Sequence, residues 1–148
     1  MASTDEAVTE DLVQTLQDGK NGFEKGAERL KSEDPTNAAT FARFAEQRAA
    51  FTTELRGLAK QYGDDVDSSG GVVATLHRGW MALKDNFTGS DPKAVFEVAE
   101  QGEDHAVKVY DDALAKDISA GLRTVVERQY IDIKSAHATV RALRDANQ

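Results

Sequence analysis

The stretch "LRTVVERQYIDIKSAHATVRAL", residues 122–143, settles the class of fold. Leu122, Val126, Gln129, Ile133, Ala136, Val140 and Leu143 recur in alternating steps of three and four. Residues so spaced share one side of an α-helix, because each residue turns by about 100°. The stripe is a seam that faces other helices, with one polar residue, Gln129, set in it. Gln129 is expected to be hydrogen-bonded in the core and to fix register.

The same rhythm extends outward from this seam. A helix over about 5–31 carries Leu12, Leu16, Phe23, Ala27 and Leu30. One over about 35–62 carries Phe41, Ala45, Phe51, Leu55, Leu58 and Tyr62, with Gly63 placed to end it. A short helix over about 72–87 carries Val73, Leu76, Trp80, Leu83 and Phe87. Two more run over about 92–115 and 119–145. Pro35 and Pro92 each follow an aspartate, the pattern of an N-cap and first helical residue. "STDE" at 3–6 offers a capping box from Ser3 to Glu6. No strand-like alternation of useful length interrupts these patterns, so the fold class is all-α.

Connection lengths then choose a topology. "KSEDP" and "AKDIS" are short enough to make antiparallel helical hairpins. Between the hairpins lie roughly 30 residues, including "GDDVDSSGG" and the short helix. A helix of about 27 residues is about 40 Å long, which such a connector can cover. The expectation is a ferritin-like four-helix bundle: two antiparallel hairpins and one long crossover carrying the extra helix, in one domain over 1–148. A simple up-down bundle with the short helix as a lid is the alternative.

Composition removes several classes of function. The chain has 148 residues, 40% hydrophobic and 30% charged, as expected of a single globular domain. A net charge of −8 argues against non-specific binding to nucleic acid or an anionic membrane surface, which needs a basic stripe. No run approaches the roughly 18 apolar residues of a membrane span. "MASTDEAVTEDL" lacks the apolar core of a signal peptide, so a cytoplasmic location is expected. The absence of cysteine excludes disulfides, zinc ribbons and thiol catalysis.

The candidate chemistry lies in "EQGEDH", residues 100–105. Helix geometry splits this cluster. Glu100 and Glu103 share a stripe with Phe96, Val107, Tyr110 and Leu114, whereas Asp104 and His105 project elsewhere, His105 toward solvent. A second stripe, Val95, Ala99, Gly102, Ala106, Val109 and Ala113, is made of small residues that permit close approach. Counting turns in the crossover topology brings Glu24, Glu46 and His137 near the same level. A reduced metal site of Glu24, Glu46, Glu100, Glu103 and His137 would hold one divalent ion such as iron or zinc. A dinuclear carboxylate site needs Glu-x-x-His on two helices. Here the residues three before His77, His105 and His137 are Ala74, Gly102 and Lys134. The competing reading pairs these carboxylates with Arg43, Arg48 and Lys134, since buried charges need partners. Trp80 and His77 mark the short helix as an anchor, or as the roof of a small-ligand pocket.

The segments "LQDGKNGFEKGAERL" (16–30), "EQRAAFTTEL" (46–55), "LHRGWMALK" (76–84), "EQGEDHAVKVYDDAL" (100–114) and "ERQYIDIKSAHATVRALRD" (127–145) together resemble an uncharacterised bacterial family of four-helix-bundle proteins in the ferritin-like superfamily. The resemblance implies a ferritin-like bundle and, for the superfamily, a link to bacterial stress physiology. It implies no established activity. The missing Glu-x-x-His pairs set this chain apart from the metal-binding members. Two functions follow as expectations: a non-catalytic, stress-related structural or interaction protein, or a divergent metal-binding protein. The oligomeric state is left open between monomer and homodimer.

Overall fold

A computed structural model describes residues 3–63 and 92–147. These form four helices: α1 (Ser3–Leu30), α2 (Pro35–Gln61), α3 (Pro92–Leu114) and α4 (Ala120–Ala146). There is no strand among the described residues. The short helix expected over 72–87, with His77 and Trp80, lies outside them.

The helix ends follow local chemistry. Asp34 caps α2: its Oδ1 accepts from the Asn37 amide at 3.2 Å, and Pro35 follows as the first helical residue. Gly63, at φ 87°, takes the left-handed conformation just beyond α2, and its amide donates to the Lys60 carbonyl. Ser119 is extended and caps α4 rather than beginning it, with Oγ accepting from the Leu122 amide. Arg123 donates from its guanidinium to the carbonyls of Leu114 and Lys116, which closes the C-terminal end of α3. α1 already includes Ser3, the residue expected to cap it from outside.

Paired contacts fix the directions. Asp5, 2% exposed, accepts from the Ser119 amide at 2.9 Å, so α1 begins where α3 ends and α4 starts. Gly26, near the other end of α1, lies against Phe41 and Val95, near the starts of α2 and α3. Phe41 meets Phe96, with ring centroids 5.9 Å apart, and Arg48 meets Glu103 seven residues further along both helices. α2 and α3 therefore run in the same direction. Tyr110 meets Gln129, Asp104 meets His137 and Glu100 meets Arg144, so α4 runs back along α3. The result is two antiparallel hairpins, α1–α2 and α3–α4, with Gly63 and Pro92 at opposite ends of the bundle. The up-down alternative required α2 and α3 to be antiparallel, and it is excluded.

Apolar residues pack in two clusters stacked along the bundle. The upper one centres on Phe23, Phe41, Val95, Phe96 and Val140, with Phe23 and Phe41 edge to face at 5.1 Å. The lower one centres on Leu12, Leu16, Leu55, Tyr110, Leu122 and Ile133, with Ile118 of the α3–α4 loop beneath it. The expected small-residue stripe of α3 is buried at Val95, Ala99, Gly102, Ala106 and Ala113. Tyr62, counted on the apolar stripe of α2, instead ends the helix and is 44% exposed.

Two glycines make the packing testable. A Cβ on Gly26 would stand 2.8 Å from a ring carbon of Phe41, whereas one on Gly57 would meet nothing within 4 Å. Gly26→Ala must push a core aromatic ring and should destabilise by about 1–3 kcal/mol. Gly57→Ala should stabilise by about 0.5–1 kcal/mol, because glycine is a poor helix former. Urea unfolding midpoints of the two variants should move in opposite directions.

Candidate functional site

The level between the two apolar clusters is polar. Arg48 lies on the inner stripe of α2 with Phe41, Ala45, Thr52 and Leu55, so the helix aims it at the bundle axis. Glu103 lies on the matching stripe of α3 with Phe96 and Tyr110. Arg48 Nη1 donates to Glu103 Oε1 at 2.7 Å, and Nη2 donates to Oε2 at 2.8 Å. Both side chains are 1% exposed. This is a bidentate fork, the strongest geometry available to such a pair. The third guanidinium nitrogen, Nε, donates to Gln47 Oε1 at 3.2 Å. The Phe23 ring of α1 lies 5.1 Å from the guanidinium carbon, a cation–π contact. Both carboxylate oxygens of Glu103 are thus occupied by an arginine.

A second polar chain crosses the lower core. Tyr110 donates its hydroxyl to Gln129 Oε1 at 2.7 Å. Gln129, fully buried, donates from Nε2 to Glu54 Oε1 at 2.9 Å and to the Phe51 carbonyl at 3.4 Å. Arg128 holds the other oxygen of Glu54. Tyr130 stacks on Tyr110 at 6.1 Å, and Lys134 lies 4.5 Å above the Tyr130 ring. Burial pushes the Tyr110 hydroxyl far above its ordinary value, against the pull of Arg48, with the charges of Glu54 and Glu103 adding to the rise. Burial also pulls the Glu54 carboxyl up, but the hydrogen bonds from Arg128 and Gln129 and the Arg128 charge bring it below its ordinary value.

The five residues expected around one ion are dispersed. Glu103 is held by Arg48. Glu100 is held by Arg144, and its Oε2 is buried without a hydrogen-bond partner. His137 lies with Nε2 2.5 Å from Asp104 Oδ1, so it reaches α3 but not Glu100 or Glu103. Glu24 is exposed and takes Lys20 at 3.0 Å. Glu46 is exposed and lines, with Glu24, Lys20 and four alanines, a surface groove of about 380 Å³ between α1 and α2. Among the described residues no three His, Asp or Glu side chains are grouped to hold a metal ion. The donor set therefore does not fit a dinuclear carboxylate centre, because its innermost member is already neutralised in a fork.

Of the three cations expected to pair with these carboxylates, Arg48 alone does so. Arg43 is exposed and donates to Thr40 Oγ1 on its own helix. It stands five residues before Arg48, about 140° round the helix. Lys134 turns to the Tyr130 ring. Arg144, in the last turn of α4, takes Glu100 instead, and the three-four count that placed Leu143 beside it gave no hint of that role. His105 is half-buried rather than turned to solvent. The Tyr110–Gln129–Glu54 chain was legible only at Gln129, since Glu54 sits on the outer flank of its helix.

Two predictions follow from this geometry. Arg48→Met or Glu103→Leu alone leaves a buried charge without its partner and should cost about 3–5 kcal/mol. The double variant Arg48→Met/Glu103→Leu should cost much less than the sum, measured by urea unfolding in a double-mutant cycle. Tyr110 has a folded pKa above its unfolded one. Its contribution to stability is full below the ordinary tyrosine value of about 10 and is lost as pH rises above it toward the folded value. Thermal unfolding at rising alkaline pH should show this loss in the wild type and a shallower one in Tyr110→Phe.

A family profile described as a domain of unknown function (DUF2383) matches residues 6–116, from the first turns of α1 through α3 to the loop beyond it. No curated protein matches the chain. The match takes in Arg48 and Glu103 and spans well over half of the sequence, so the chain belongs to this family of domains of unknown function, DUF2383.

Proposed function

We propose that this protein is a non-catalytic, ferritin-like bundle, one domain over 1–148, serving as a structural or interaction protein in the bacterial cytoplasm under stress. One observation carries this reading. At the centre of the bundle Glu103 is bound by the Arg48 guanidinium in a bidentate fork, with both side chains 1% exposed. A carboxylate so engaged must break a buried ion pair before it can ligate a metal, at a cost of about 3–5 kcal/mol. The arginine supplies the charge neutralisation that a bound cation would otherwise provide. The directions of α2 and α3 support the ferritin-like arrangement, and the stress role comes from the family resemblance. No helix among the described residues is long and apolar enough to cross a membrane.

A second reading, a divergent site for iron or zinc, retains Glu24 and Glu46, which face the same groove. It would place an ion at the surface of the α1–α2 hairpin, since Glu100, Glu103 and His137 already engage Arg144, Arg48 and Asp104.

Elemental analysis of protein purified without a histidine tag or chelator, combined with a ferrous-oxidation assay, tests both. Sub-stoichiometric metal and no oxygen consumption are expected. Stoichiometric iron with turnover would overturn the non-catalytic reading. Zinc or iron binding that is lost on joint Glu24→Ala and Glu46→Ala substitution would establish the second.

A further inference from the structure

Among the described residues, the outward face of α4 has no partner helix. Opposite its buried seam stand Thr124, Ile131, Ser135, Ala138 and Ala142, all exposed. Ile131 is 66% exposed. A lone exposed isoleucine is ordinary, but the charges around this one are ordered. Glu127 and Lys134 lie on one flank of the stripe, and Arg128 and Asp132 lie on the other.

We infer that α4 pairs with α4 of a second copy, antiparallel, across a two-fold axis at Ile131. Such an axis sets each flank against the same flank of the partner, reversed in direction. Glu127 then faces the second copy's Lys134, and Arg128 faces its Asp132, while Ile131 packs on itself. The midpoints of the three pairings all fall between residues 130 and 131, so one register satisfies them together. Thr124 comes opposite Ala138, and small side chains there let the helix axes approach to about 8–10 Å. Antiparallel pairing also opposes the two helix dipoles. Within their own chain Arg128 also holds Glu54 and Lys134 lies over the Tyr130 ring, so the cross-chain pairs share these cations with existing partners. A single-helix interface is smaller than the roughly 800 Å² per partner of a standard complex, so the dimer is a weak and concentration-dependent one. The inference rests on the interaction reading above and names its partner as a second copy of the chain.

Sedimentation across roughly 10–500 µM protein tests the pairing. A reversible monomer–dimer equilibrium is expected. Glu127→Lys and Lys134→Glu should each weaken it about tenfold, and the double exchange should restore it, because only the antiparallel register brings the two positions together. These surface changes leave the fold intact, which circular dichroism checks. The chain has no cysteine, so Ile131→Cys should form a disulfide-linked dimer under mild oxidation, whereas Ala39→Cys on the exposed face of α2 should not. A monomer at the highest concentration, a dimer indifferent to the α4 variants, or a double exchange that fails to restore pairing would each overturn the inference. The non-catalytic reading would stand in all three cases, since it falls only on metal-dependent turnover.

Discussion

The Arg48–Glu103 fork is the constraint around which the bundle is arranged. Desolvating two charges is costly, and their attraction compensates only when geometry is close and every remaining donor is satisfied. Here both Nη groups and Nε are used, and Phe23 covers the guanidinium face. Meeting those demands requires α2 and α3 to run in the same direction at one register, with α1 against them. An error of one turn would bury either charge without its partner. Hydrophobic stripes alone tolerate such slips far better, because one apolar contact replaces another at little cost.

The fork also organises the apolar core. Phe23, Phe41 and Phe96 interlock above it, and Leu12, Leu55 and Tyr110 pack below it. Tyr110 lies one double turn beyond Glu103 and hands its hydroxyl to Gln129, which carries the polar contact to α4 and on to Glu54 of α2. The two polar levels thus tie α3 to α2 directly and α4 to both. At the end of the bundle where α1 begins, Asp5 and Arg123 close the helix termini, and at the other Arg144 secures Glu100. The carboxylates that looked like ligands are each a partner in one of these ties or lie at the surface.

Much of this was legible from spacing. The four helices, the Asp34–Pro35 start of α2, the inward direction of Glu103 and the hydrogen-bonded Gln129 all follow from a period of 3.6 residues and the capping rules. The pairing of Glu103 with an arginine of α2 was also within reach, because a buried carboxylate needs a cation and Arg48 sits on the apolar stripe. Arg43 and Lys134 misled because an axial level was counted without their angle around the helix. Arg144 and Asp104 were out of reach, since whether a half-exposed side chain turns to a neighbouring helix depends on interhelical distance.

The sequence by itself determined the helices, their inward faces and the absence of thiol chemistry, for these depend on local geometry and composition. It left two topologies open, because connector length permits a crossover without requiring one. Only the tertiary structure set α2 and α3 side by side in direction, through Phe41 on Phe96 and Arg48 on Glu103. It also decided the fate of the acidic cluster. A carboxylate on a helix is a ligand, an ion-pair partner or a solvated charge according to what the facing helix presents at about 3 Å. For Glu103 the facing group is the guanidinium of Arg48.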